Sequence, residues 1–331
     1  MRDDARAACV PRAFHHSWRC HLNLTFTKET MCSKKSLFEG TEDSNDRRNR
    51  REYNNNIDHI LTNHRGVGVK TFILEFHGPY NTKSYNRLNS WLQIAITPVM
   101  EELTLILLSE KAKYEFPCSL LSEKGGNTIR HLHLDNCVLR PTVALNLRCL
   151  TELYLYQMVN APMVPSKFLH LKSLSITIRG WWSLNREYDF LSLISFLDAS
   201  PSLETFVLSV SVEKKYDLFV GDPSTLRQMP EHRHDKLKSV QITGFCPQKS
   251  LVELTRHILE SSMSIKCLIL DTIRVNSRCS GNISRKCSTL DKEYIKEACK
   301  SIMAIKTYIK GIVPSTTWLN VLGPCSRCHA L

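Results

Sequence analysis

At 331 residues, 42% hydrophobic and 23% charged, the chain has the make-up of a folded globular protein and not of a disordered one. Its net charge of +12 suits an acidic partner such as nucleic acid, yet charge of this kind governs solubility and association and leaves the fold open. No run approaches the roughly 18 apolar residues of a membrane span, and Arg2, Asp3, Asp4 and Arg6 interrupt any signal-peptide core, so a cytoplasmic or nuclear location is expected. There the 13 cysteines should be reduced. Cys137, Cys149, Cys267 and Cys299 lie in apolar segments and read as buried small hydrophobes.

The first element is "RDDARAACVPRAFHHSWR". Asp3 and Asp4 suit a helix start, "ARAACV" continues it, and Pro11 ends it while opening a second short helix that carries Phe14 and Trp18 on one face. Two such helices bury little apolar surface alone, so the stretch expects a neighbouring helix or a partner protein. Residues 27–56, most of them in "CSKKSLFEGTEDSNDRRNRREYNNN", are polar and charged, and read as a flexible linker. Arg47, Arg48, Arg50 and Arg51 within it form a basic run, read as solvated linker with a nucleic-acid or import patch as the alternative.

From residue 57 to 285 one pattern recurs: an apolar residue, two variable ones, then apolar-x-apolar. It is carried by "VKTFILEF", "MEELTLILL", "IRHLHLDNC", "LTELYLYQM", "LKSLSITIR", "LETFVLSV", "LKSVQITGF" and "IKCLILDT". The paired anchors are Phe72/Leu74, Leu103/Leu105, Leu132/Leu134, Leu153/Leu155, Leu174/Ile176, Phe206/Leu208, Val240/Ile242 and Leu268/Leu270. That is the L-x-x-L-x-L core of a leucine-rich repeat, at steps of about 21 to about 34 residues. Asn136 and Cys137 follow their strand where that repeat places Asn or Cys. The expected fold class is therefore α/β: a solenoid, arched as a horseshoe, in which each short parallel strand turns its anchors inward. The alternating residues would face a concave surface: Glu75, Thr104, His131, His133, Asp135, Glu152, Tyr154, Tyr156, Ser175, Thr177, Gln241, Thr243 and Asp271. Tyr154 and Tyr156 offer rigid contact area with a polar tip, and Trp181 and Trp182 could border the same groove.

Residues 286–331 read as a cap and tail. Tyr294, Ile295, Ala298, Ile302, Ile305 and Ile309 fall at helical spacing with Gly311 available to end the helix, and "TTWLNVL" suggests one closing strand. In the tail, Cys325, Cys328 and His329 form a C-x-x-C-H motif whose residues could serve as metal ligands, with Cys279 or Cys287 completing a zinc set; an unliganded tail is the preferred reading. His131, His133 and Asp135 on one strand face could bind a metal or act as acid and base, yet such groups are equally what a recognition surface needs. With no nucleophile triad, phosphate-binding glycine loop or H-E-x-x-H, no enzyme and no cofactor are expected.

The opening stretch is similar to the second half of an F-box as found in plant F-box/leucine-rich-repeat proteins. "CHLNLTF", "IDHILTNHRGVGVKTFILEFHGPYNTKSYNRLNSWLQIAITPVMEELTL" and "GPCSRCH" extend the resemblance over nearly the whole chain. It implies a helical partial F-box at 1–26 docking on a Skp-family adaptor through Ala5, Ala8, Val10, Phe14 and Trp18, and repeats that hold a target protein for a Skp-cullin-F-box ubiquitin ligase. His131, His133, Asp135, Glu152, Tyr154, Tyr156 and Trp181 are the target-binding candidates. Two departures stand out: the family's Leu-Pro opening and first helix are missing before Met1, and Pro11 replaces the usual serine. A repeat scaffold that no longer docks on the ligase is the alternative that they raise, with a nucleic-acid binder as a more distant one.

Overall fold

The computed structural model describes residues 21–31, 44–64, 68–77, 81–108, 114–122, 126–139, 145, 147–156, 167–180, 188–212, 221–227, 229, 232–274, 290 and 292–325, in two compact units that meet in sequence after Tyr156. Among these residues no helix is long and apolar enough to cross a membrane. Ala5, Ala8, Val10, Phe14, Trp18, Trp181, Trp182, Cys328 and His329 lie outside the described residues.

The first unit is built on a parallel sheet of β1 (Asn23–Phe26), β2 (Thr71–Phe76), β3 (Glu102–Leu107), β4 (His131–Asp135) and β5 (Glu152–Tyr156), in that order. Its register is the register of the repeat. Phe72 faces Leu103, Leu103 faces Leu132, and Leu132 faces Leu153, with the second anchors in step beside them. The second unit repeats the scheme with β6 (Ser173–Gly180), β7 (Thr205–Val212), β8 (Ser239–Thr243), β9 (Cys267–Asp271) and β10 (Trp318–Leu322), where Leu174, Phe206, Val240, Leu268 and Leu319 align. Every anchor read from the sequence is at most 2% exposed. At roughly 2 kcal/mol per buried Leu, Ile or Phe side chain, these rows are the main source of stability.

In the first unit β3, β4 and β5 are entered in the same way. The carbonyl just before one strand accepts from two successive N–H groups at the start of the next: Lys70 from Glu101 and Glu102, Glu101 from Arg130 and His131, Arg130 from Thr151 and Glu152. The second unit does likewise at Lys172, Glu204 and Lys238. These shared acceptors satisfy backbone donors that lie at the entry to the ladder. The Asn136 position is also satisfied: at φ 56 it adopts the left-handed conformation that asparagine tolerates, and its amide donates to the Leu107 carbonyl at 2.6 Å. Cys137 beside it is buried.

The structure departs from the sequence reading in several places. The stretch expected to be a flexible linker at 27–56 carries α1 (Ser44–Asn63), preceded by a single helical turn at Lys28–Met31. Tyr53, Ile57, Ile60 and Leu61 recur at helical spacing and are buried, which outweighs the polar composition around them. The Tyr53 hydroxyl lies 2.8 Å from both the Phe26 and the Glu75 carbonyl oxygens and fastens α1 to β1 and β2. Inside the span expected to be helical at 1–26, Asn23–Phe26 is a strand, whose Leu24 and Phe26 face Phe72 and Leu74. The strands of the first unit therefore begin before residue 57, whereas the closing strand expected from "TTWLNVL" is present in the second unit as β10.

Between β2 and β3, α2 (Thr82–Ala95) begins at Asn81, whose side chain accepts from the Ser84 N–H, and buries Leu88, Trp91, Leu92 and Ala95. In the second unit α3 (Ile194–Asp198) follows a tight turn at Phe190–Leu193, and α4 (Lys249–Ser261) buries Leu251, Val252, Leu254 and Ile258. The closing helix expected from "YIKEACKSIMAIKTYI" is α5 (Lys292–Ala304), extended by a wider turn at Ile305–Ile309. Gly311 does not end it in the left-handed conformation: it lies within the turn Lys310–Ile312, and only Gly68 and Gly244 have positive φ among the described glycines. Cys149, expected to be buried, is exposed, because it falls in the turn before β5 instead of on an anchor position.

Candidate functional site

A strand that buries every second residue leaves the others on the opposite face, and in the first unit that face forms three rows across β2 to β5. One row is Thr71, Glu102, His131 and Glu152; the next is Ile73, Thr104, His133 and Tyr154; the third is Glu75, Ile106, Asp135 and Tyr156. These side chains are half-buried apart from the exposed Tyr154, and Thr25 and Asn23 of β1 extend two of the rows.

Four of the candidates on this face touch one another. His131 Nδ1 lies 3.2 Å from Glu152 Oε2, and the Tyr154 hydroxyl donates to the same oxygen at 3.3 Å. The His133 and Tyr154 rings are 5.8 Å apart and tilted by 47°. Burial lowers the His133 pKa from its usual value, so the imidazole favours its neutral form. Glu75 accepts from the Lys28 N–H at 2.8 Å and faces His77 Nε2 at 3.6 Å, an arrangement that ties the strand end to the turn after β1. With Asp135 and Tyr156 paired in the adjoining row, His131, His133, Asp135, Glu152, Tyr154 and Tyr156 form one continuous patch.

The second unit's face is different in chemistry. Ser175, Thr177 and Gln241 are half-buried on it, and Gln241 donates to Thr243 Oγ1 at 3.3 Å. Thr243 and Asp271, expected to be open, are buried at 7% and 8% exposure. The cause is the chain leaving each strand: the Ile273 N–H donates to Asp271 Oδ1 at 2.8 Å and the Phe245 N–H to the Asp271 carbonyl at 2.8 Å, folding both exits over the strand ends. Sequence reading also missed Trp318, which is 60% exposed at the start of β10. Its place in the pattern, one residue before the Leu319 anchor, was the available signal.

No group of three or more His, Cys, Asp or Glu among the described residues is placed to hold a metal ion. Cys325, the only described member of the C-x-x-C-H motif, is half-buried.

A separate set of ionisable groups lies in the second unit, where Asp198 meets His232 and His234 at 3.5 Å and 3.6 Å and the His234 and His257 rings are 6.5 Å apart. The 3.6 Å separation is too long for a hydrogen bond, and Nε2 of both His234 and His257 has no hydrogen-bond partner among the described residues. Burial lowers both pKa values, and for His234 it outweighs the opposing pull of Asp198. The unfolded chain then takes up protons near the usual histidine pKa of about 6.5, while the folded chain resists them until the pH is lower. Stability is full above that pH and falls below it, by up to about 1.4 kcal/mol per pH unit for each proton withheld. Urea midpoints measured between about pH 7.5 and about pH 5.5 should fall, and His234→Gln/His257→Gln should flatten that profile; an unchanged slope in the double variant would refute the assignment.

A family model described as At1g61320/AtMIF1, LRR domain, matches residues 60–159 and 156–326. No curated protein and no solved structure matches the chain.

Proposed function

The chain belongs to the At1g61320/AtMIF1 leucine-rich-repeat family, and from that premise we propose that it recruits a target protein on the open face of its first-unit strands for a Skp-cullin-F-box ubiquitin ligase. A leucine-rich-repeat domain is a protein-interaction scaffold, and the observation that carries the target-binding part is the continuous patch of His131, His133, Asp135, Glu152, Tyr154 and Tyr156. Tyrosine beside histidine and carboxylate supplies stiff contact area together with hydrogen-bonding groups, the mixture in which binding hot spots are found. The role proposed is one of binding and not of catalysis, in the cytoplasm or nucleus.

The ligase part rests on the resemblance of "RDDARAACVPRAFHHSWR" to an F-box, through Ala5, Ala8, Val10, Phe14 and Trp18. Its test is capture of the purified chain by a Skp-family adaptor, beside a Phe14→Ala/Trp18→Ala variant. Capture that the double substitution weakens at least about tenfold is the expected result, since paired aromatic anchors dominate interfaces of this kind. A folded chain that the adaptor does not retain would remove the ligase part and leave a target-binding scaffold.

A further inference from the structure

The open face of the first unit is charged against the rest of the chain. The protein carries 44 Lys and Arg against 32 Asp and Glu, yet the described residues of the three rows include Glu75, Glu102, Asp135 and Glu152 and no Lys or Arg at all. The carboxylates occupy the two outer rows, and between them runs Ile73, Thr104, His133 and Tyr154, apolar to aromatic in character. The geometry points to a target segment bearing lysine or arginine, laid across the strands so that its cationic ends reach the outer rows while its stems rest on the middle one.

Spacing supports this occupant. Glu102 and Glu152 lie in one row on strands two apart, and Glu75 and Asp135 do so in the other, a separation of about 10 Å. An extended peptide advances about 3.3 Å per residue, so basic residues about two or three positions apart would span such a pair. A tyrosine lies beside a carboxylate of each outer row: Tyr154 of the middle row contacts Glu152, and Tyr156 faces Asp135 across the β4/β5 pair. A guanidinium or ammonium group is stabilised by a carboxylate and by the face of an aromatic ring together. Glu75 and Glu152 have partners within the unit, whereas the Glu102 carboxylate meets no cation among the described residues.

This inference rests on the reading of the face as the target-binding surface and adds the charge of what it takes. The full chain would be titrated, with fluorescence anisotropy as readout, into three synthetic peptides of equal length: one of Lys and Arg spaced by Gly and Ser, one with Asp and Glu in their place, and one of Gly and Ser only. The chain's positive net charge opposes general adsorption of a polycation, so binding of the first peptide reports a local field. The expected result is binding of the basic peptide alone, weakened about tenfold or more by Glu102→Gln/Glu152→Gln. Glu260→Gln/Glu293→Gln, an equal change of charge at exposed helix positions of the second unit, should leave it unaltered. Failure of the basic peptide to bind, or binding indifferent to the Glu102/Glu152 pair, would overturn the inference. If the acidic or neutral peptide binds instead and Tyr154→Ala abolishes it, the charge assignment falls and the face remains the binding surface. Binding of any peptide that no face substitution disturbs would remove the face as well.

Discussion

Arg227→Met is expected to cost about 3 kcal/mol or more of folding stability and to lower the urea midpoint of the second unit accordingly. The Glu253 side chain on α4 is fully buried, and Arg227 supplies its neutralisation: the backbone N–H donates to Oε1 at 2.8 Å, while Nε and one terminal nitrogen donate to Oε2 at 2.9 and 2.7 Å. The other edge of the same guanidinium grips Asp189 through two bonds of 2.9 Å, and Asp189 in turn caps the turn Phe190–Leu193. One cation thereby joins a loop, a helix start and a helix interior. Its bonds to Asp189 and Glu253 raise the Arg227 pKa above its already high value and hold the Asp189 carboxyl below the usual range.

Removing the cation leaves Glu253 buried without a counter-charge, which is far more costly than losing a surface pair. Arg227 itself is about half exposed, so water can relieve part of the penalty, and the lower end of the range for broken buried pairs is the appropriate figure. A double variant, Arg227→Met/Glu253→Leu, should recover most of the loss, because it removes the buried charge along with its partner. A single variant as stable as the parent, or a double variant no better than the single, would contradict this account.

Gly244→Ala is expected to be damaging on a similar scale, about 3 kcal/mol or more, although it adds one carbon. Gly244 has φ +74, and an added Cβ would collide with the Val210 backbone carbonyl oxygen. Neither obstacle can be relieved by a side-chain rotation. The Val210 carbonyl belongs to β7, and the Gly244 N–H donates to the Ile273 carbonyl at 3.2 Å, so the glycine is held from both sides as the chain leaves β8. Gly311→Ala is the matched control: nothing lies within 4 Å of its added carbon and its φ is not positive, so it should be neutral or slightly stabilising. Thermal or urea unfolding of the two variants side by side would decide the matter, with equal midpoints as the refuting outcome.

The strands were legible because burial on one face writes itself into alternate positions. Leu132, Leu134, Leu153 and Leu155 announce which face is inward, the repeat of the same spacing announces their register, and the structure aligns them as the pattern requires. β1 carries the same sign at Leu24 and Phe26, but a charged stretch separates it from the Phe72 and Leu74 anchors it faces, and nothing local connects the two. α1 was hidden by composition: Tyr53, Ile57, Ile60 and Leu61 are few among charged and amide neighbours, and their stripe matters only when β1 and β2 are present to receive it. Of the site, the outward residues of β4 and β5 could be named from alternation alone. The links among Arg227, Asp189 and Glu253 could not, since they join residues distant in sequence whose proximity is set by the packing of three elements.

The common register also bears on how such a chain can lengthen or shorten. A residue inserted within His131–Asp135 would turn Leu134 outward and bring a carboxylate into the apolar interior, whereas an insertion between Leu107 and Ile129 leaves every anchor opposite its neighbour. Length change is therefore confined to the connections, and genetic exchange of a whole strand with its connection keeps the rows continuous. Diversification by recombination of complete repeats is open to this architecture, and insertion or deletion of single residues inside a strand is not.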